Sequence, residues 1–123
     1  MSLDFYLHDT TEATCPKCSH TFSVAGPYEA YFRQNITHNL TAMADAAGIY
    51  KHLWHPEELG IKTAGQLVDP LLAGLRMLQA KPARFQNMNP SNGWGSYNGL
   101  VRAVEEILAA CQHHPDALVR VSI

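Results

Sequence analysis

The chain has 123 residues, 46% hydrophobic and 16% charged, with nine Lys and Arg against eleven Asp and Glu for a net charge of -2. This is enough chain for one domain, too apolar and too weakly charged to be mainly disordered, and its charge balance argues against a nucleic-acid binder that relies on a basic surface. No apolar run approaches the roughly 20 residues that span a bilayer, and the opening residues lack a secretion signal, so a cytoplasmic protein without membrane contact is expected.

Leu3-Asp4-Phe5-Tyr6-Leu7 alternates apolar and polar side chains, as does Val119-Arg120-Val121-Ser122-Ile123. Each reads as a half-buried strand, and the two termini are expected to share one sheet. Between Cys18 and Arg33, the residues Thr21, Phe22, Val24, Tyr28, Tyr31 and Phe32 surround Gly26-Pro27, which suggests a hairpin or two short strands. From Asn35 to about Trp54, Ile36, Leu40, Met43, Ala47, Tyr50 and Trp54 follow helical spacing, with Asn35 placed as N-cap and His55-Pro56 ending the helix. Thr63-Ala64-Gly65-Gln66 has the form of a capping box and opens a second helix through Leu67, Leu71, Leu75 and Leu78. Pro70 makes that segment either two pieces or one kinked piece. Lys81-Pro82 starts a short turn that includes Phe85, and Asn89-Pro90-Ser91-Asn92-Gly93 is dense in turn formers. A third long helix is expected from Ser96 to Gln112, with Tyr97, Leu100, Val101, Val104, Leu108 and Cys111 on one face. The order implies a single α+β domain over residues 1–123, with three main helices packed on a small sheet formed with both chain termini. Exposed edges of such a sheet invite pairing with a second copy, a homo-oligomer.

Three cysteines without a secretion signal argue against a disulfide framework. Cys15-Pro16-Lys17-Cys18-Ser19-His20 is similar to the first half of a zinc ribbon, and Cys15, Cys18 and His20 are candidate ligands of a structural zinc in a knuckle inserted at about residues 14–27. His8 or Cys111 with His113 and His114 could complete the set, as could a second subunit. The alternative is an ordinary β-turn carrying two thiols.

Two polar clusters carry more chemistry than their surroundings require. Asn35, His38 and Asn39, spaced i, i+3 and i+4, would share one face of a first helical turn, where free N–H groups favour an anion. Asn92, Gly93, Trp94, Gly95 and Tyr97 belong to a glycine-rich loop in which the glycines permit close approach and the two aromatics offer flat faces for a ring. The loop lacks the P-loop Lys-Ser/Thr pair and the dinucleotide fingerprint. The alternatives are a capping Asn35 with a core His38, and a turn pinned by a buried Trp94. Glu57-Glu58 and Glu105-Glu106 read as solvated charges near helix ends. No nucleophile elbow, zincin motif or triad occurs, so no catalytic residue is assigned.

The start Met1-Ser2-Leu3-Asp4-Phe5-Tyr6-Leu7, Asn35-Ile36-Thr37-His38-Asn39-Leu40, Lys62-Thr63-Ala64-Gly65-Gln66-Leu67 and Asn89-Pro90-Ser91-Asn92-Gly93-Trp94-Gly95-Ser96-Tyr97 together resemble a family of small uncharacterised proteins from bacteriophages and bacterial genomes. The resemblance covers most of the chain except Cys15 to Pro27. It implies a phage or mobile-element origin, and with it the host cytoplasm and a role against host defence, but no mechanism. The expectation is a non-enzymatic protein binding a phosphate-bearing or nucleotide-like ligand at Asn35, His38, Asn39 and the Asn92–Tyr97 loop, which would sequester a host defence signal. A zinc-knuckle interaction module acting on a host or phage protein is the alternative, and an enzyme using His38 as general base is a third.

Overall fold

The computed structural model describes residues 2–8 and 32–123 in full, and the backbone of 10–14 and 21–25. Cys15, Cys18 and His20 of the expected knuckle lie outside the described residues. The elements in chain order are β1 (Ser2–His8), β2 (Thr10–Thr14), β3 (Thr21–Ala25), β4 (Phe32–Thr37), a 3-10 turn (His38–Leu40), α1 (Thr41–Ala46), α2 (Tyr50–Trp54), a second 3-10 turn (Pro56–Leu59), α3 (Gly65–Ala80), α4 (Pro82–Gln86), α5 (Tyr97–His113) and β5 (Leu118–Ser122).

The α+β class holds, and both termini do share one sheet: its order is β4-β1-β5, with both pairings antiparallel. β1 alternates as its sequence requires. Leu3, Phe5 and Leu7 are sealed in the core, while Ser2, Asp4, Tyr6 and His8 form the opposite row. Sealing each of these large apolar side chains contributes about 1.5–3 kcal/mol. α3 and α5 pack on each other and α5 reaches β4, so the buried faces of both helices join the sheet's inner row in one core. β3 pairs with β2 and not with β4. Of the two readings open for that region, two short strands is the one observed, and the partner strand precedes the cysteines.

The long helix expected from Asn35 to Trp54 is not formed. Its apolar spacing identifies inward-facing residues correctly, since Ile36, Leu40, Met43, Ala47 and Trp54 are all buried, but four elements present them. Ile36 is claimed by the ladder, facing Leu3 across β1 and β4. Asn35 is therefore a strand residue, and Thr37 does the capping, its side chain accepting from the Asn39 N–H. α1 stops at Ala46 because Gly48 takes φ 79°, a left-handed conformation that breaks the helix before α2.

α3 is one helix running through Pro70. Proline there removes the donor to the carbonyl of Gln66, an exposed residue in the first turn where solvent is at hand. The Gln66 carboxamide oxygen accepts from the Lys62 and Thr63 N–H groups at 2.7 and 3.0 Å, the returning half of the anticipated capping box. α5 starts where expected, with the Ser96 hydroxyl accepting from the Gly99 N–H.

Gly74 is where α3 packs closely against the link between α1 and α2. A Cβ built there would stand 2.2 Å from Ile49 Cγ2. Gly74→Ala is expected to lower stability by about 1–3 kcal/mol despite alanine's better helix propensity; urea denaturation checks this, and a gain in stability would contradict it.

Candidate functional site

β4 ends at Thr37, and the chain turns directly into His38–Leu40. Antiparallel pairing sets Ser2 opposite Thr37 and Asp4 opposite Asn35, so the same row of the sheet carries Ser2, Asn35 and Thr37 to one corner. The loop between α4 and α5 comes against this corner at Gly95. That residue has φ 96°, and a Cβ on it would lie 2.6 Å from Thr37 Cγ2 and 3.1 Å from Leu40 Cγ. Only a glycine allows both the backbone conformation and the approach. Asn39 completes the junction by donating from Nδ2 to the Trp94 carbonyl at 3.3 Å.

The result is a cavity of about 610 Å³ lined by Ser2, Asn35, Thr37, His38, Asn39, Asn92 and Trp94. The two polar clusters, 50 or more positions apart in the chain, meet here, although not as two helix starts. Asn35, His38 and Asn39 converge through a strand-to-turn junction and do not share a helical face. Ser2 and Thr37 join them, residues whose role emerges only from the strand register.

The hydrogen bonds define what remains free. Asn35 Nδ2 donates to Ser2 Oγ at 2.8 Å and to Asp4 Oδ1 at 2.9 Å. Asn92 Oδ1 accepts from the Trp94 N–H at 3.0 Å. Among the described residues no hydrogen bond uses Asn35 Oδ1, Asn39 Oδ1 or Asn92 Nδ2. The buried His38 Nε2 also lacks a partner. Among the described residues the lining thus presents acceptors and an amide donor, with no Lys, Arg, Asp or Glu in it. Above them stands Trp94, 72% exposed, so it is a free aromatic face and not a buried pin.

Tyr97, counted with the loop, behaves otherwise than expected. Tyr97 is buried, stacked on Phe85, and its hydroxyl donates to the Leu78 carbonyl at 2.8 Å. It anchors α5 in the core and offers no face to a ligand. The N–H groups around the start of α5 are also largely used internally, Tyr97 N–H by Asn89 Oδ1 and Gly99 N–H by Ser96 Oγ. They do not form an open anion cradle.

A second cavity, about 370 Å³, adjoins His38 from the side of Thr41, Tyr50, Trp54, His55 and Ile123. His38 is common to both. Cys111, one of the candidates for completing a zinc site, is buried in α5, and burial pushes its thiol from 9.0 up to about 12.

Comparison with known proteins finds no matching family, curated protein or solved structure. The functional reading therefore rests on the cavity's own chemistry. Among the described residues, no helix is long and apolar enough to cross a membrane.

The Cys111 thiol gives a pH prediction. Above its ordinary value of 9.0 the unfolded chain releases a proton that the folded chain retains until about 12, so stability falls with rising pH across that window. The expected slope is about 1.4 kcal/mol per unit. Urea denaturation at a series of pH values should show this slope reduced in Cys111→Ala; equal slopes in the two proteins would contradict it.

Proposed function

We propose that the protein is a small-molecule-binding protein whose cavity takes a nucleoside-like ligand by its ring, leaving any phosphate toward solvent. The observation that carries this reading is the convergence of a free tryptophan face with uncommitted amide groups from two distant segments in a pocket whose described lining is uncharged. A nucleobase is planar and rimmed by neutral donors and acceptors, which suits stacking on Trp94 and hydrogen bonding to Asn35 Oδ1, Asn39 Oδ1 and Asn92 Nδ2. An uncharged lining supplies no strong electrostatic term for a bare phosphate. Held without turnover, such a ligand would be sequestered, which accords with the resemblance to phage proteins.

Binding rather than catalysis is the role that the lining supports. Among the described residues, His38 has neither a hydrogen-bonded nucleophile nor a carboxylate to orient it, the arrangement general-base hydrolysis requires.

Calorimetric titration with the four ribonucleosides and with inorganic phosphate tests the proposal. At least one nucleoside should bind and be recovered unaltered, and Trp94→Ala should weaken it by about 1–3 kcal/mol, the value of one stacked base. Asn39→Ala should weaken it too, by about 0.5–1.5 kcal/mol. Phosphate alone should not bind. Failure of every nucleoside, or binding that is indifferent to both substitutions, would refute the reading.

A further inference from the structure

We propose that His55, Glu57 and Glu58 form a site for a divalent transition metal of the zinc type, separate from both cavity-lining asparagines and cysteines. The three residues follow α2 in the short turn begun by Pro56 and closed by Gly60 at φ 71°. His55 Nδ1 lies 3.5 Å from Glu57 Oε1 and 3.4 Å from Glu58 Oε2, and the three donor atoms are all within 4.8 Å of one another.

These separations suit a shared cation better than an ion pair. A charge-assisted N–H···O bond closes to about 2.7–2.9 Å, and His55 makes one with neither carboxylate. Ligands bound tetrahedrally at about 2.0–2.2 Å stand about 3.3–3.6 Å apart, which matches both histidine–carboxylate distances. Small rotations of the two exposed glutamates would shorten the remaining edge. No lysine or arginine among the described residues neutralises Glu57 or Glu58.

The far side of the imidazole is held as a metal-binding histidine's usually is. His55 Nε2 is 3.2 Å from the Tyr50 hydroxyl, and Tyr50 meets the imidazole edge-on while stacking on the buried Trp54. With Nδ1 on the metal, Nε2–H donates to Tyr50, which fixes the tautomer and aims Nδ1 at the carboxylates. A nitrogen ligand selects a zinc-type ion over magnesium and calcium, which prefer all-oxygen sets. Three ligands leave a fourth position for water.

The test is titration of the chelator-stripped full-length protein with Zn²⁺ by calorimetry and with Co²⁺ by absorption, beside the Glu57→Gln/Glu58→Gln variant. Cobalt bound to nitrogen and oxygen shows d–d bands without the thiolate charge-transfer band that the cysteines would add, so the two kinds of site separate in one spectrum. Wild type should show a site free of charge transfer, and the variant, folded by circular dichroism, should weaken it at least about tenfold. Millimolar Mg²⁺ should not compete. The proposal is overturned if wild type binds no zinc, if cobalt binds only with thiolate charge transfer, if Mg²⁺ displaces the metal, or if the variant binds with unchanged stoichiometry and affinity.

Discussion

Leu3, Phe5 and Leu7 are wholly withdrawn from solvent on a strand hydrogen-bonded along both edges, to β4 and to β5, and the rest of the molecule is arranged around that row. Strand side chains alternate with a period of two, so a slip of one residue would expose all three and bury Asp4 in their place. The register is therefore strongly specified. It is this register that sets Ser2 beside Thr37 and Asp4 beside Asn35, and the cavity's sheet-side wall follows from a core constraint on the opposite face.

The other wall depends on a close backbone approach. Gly95 brings the loop before α5 against Thr37 and Leu40, while Tyr97, two residues later, is locked in the core by Phe85 and the Leu78 carbonyl. A rigid anchor behind and a glycine contact in front hold Trp94 over the polar corner without burying it. The amide groups split their duties in the same way: Asn35 Nδ2, Asn39 Nδ2 and Asn92 Oδ1 brace the two walls, and the other atom of each carboxamide makes no hydrogen bond among the described residues. An uncharged site of this kind selects by shape and hydrogen-bond pattern more than by long-range attraction.

Much of this was legible in the sequence where periodicity and local chemistry agreed. β1 and β5 show a clean apolar alternation, α3 and α5 a clean helical face, and Gln66 acts where its capping box implies. The segment from Asn35 to Trp54 shows where periodicity alone misleads. Inward-facing positions at helical spacing were presented by a strand end, a 3-10 turn and two short helices, because pairing with β1 captured Ile36 and Gly48 broke the run. Both polar clusters were visible as composition, but their meeting depended on strand register and on the contact at Gly95, neither of which is local. Tyr97 differs from expectation for a related reason: an aromatic in a loop motif reads as exposed until the helix behind it claims the ring. The His55-Glu57-Glu58 grouping was hidden because neighbouring charges read as solvated, and only the turn at Pro56 faces them toward one nitrogen.

The central claim is that two distant segments build one neutral ligand site. Mapping amide and side-chain NMR shifts of the isotopically labelled protein on addition of a ribonucleoside, and separately of inorganic phosphate, tests it most directly. The account predicts that the nucleoside perturbs Ser2, Asn35, His38, Asn39, Asn92 and Trp94 together, while phosphate leaves them and the start of α5 unmoved. Shifts confined to one of the two segments, or phosphate alone moving the Gly95–Gly99 amides, would contradict it.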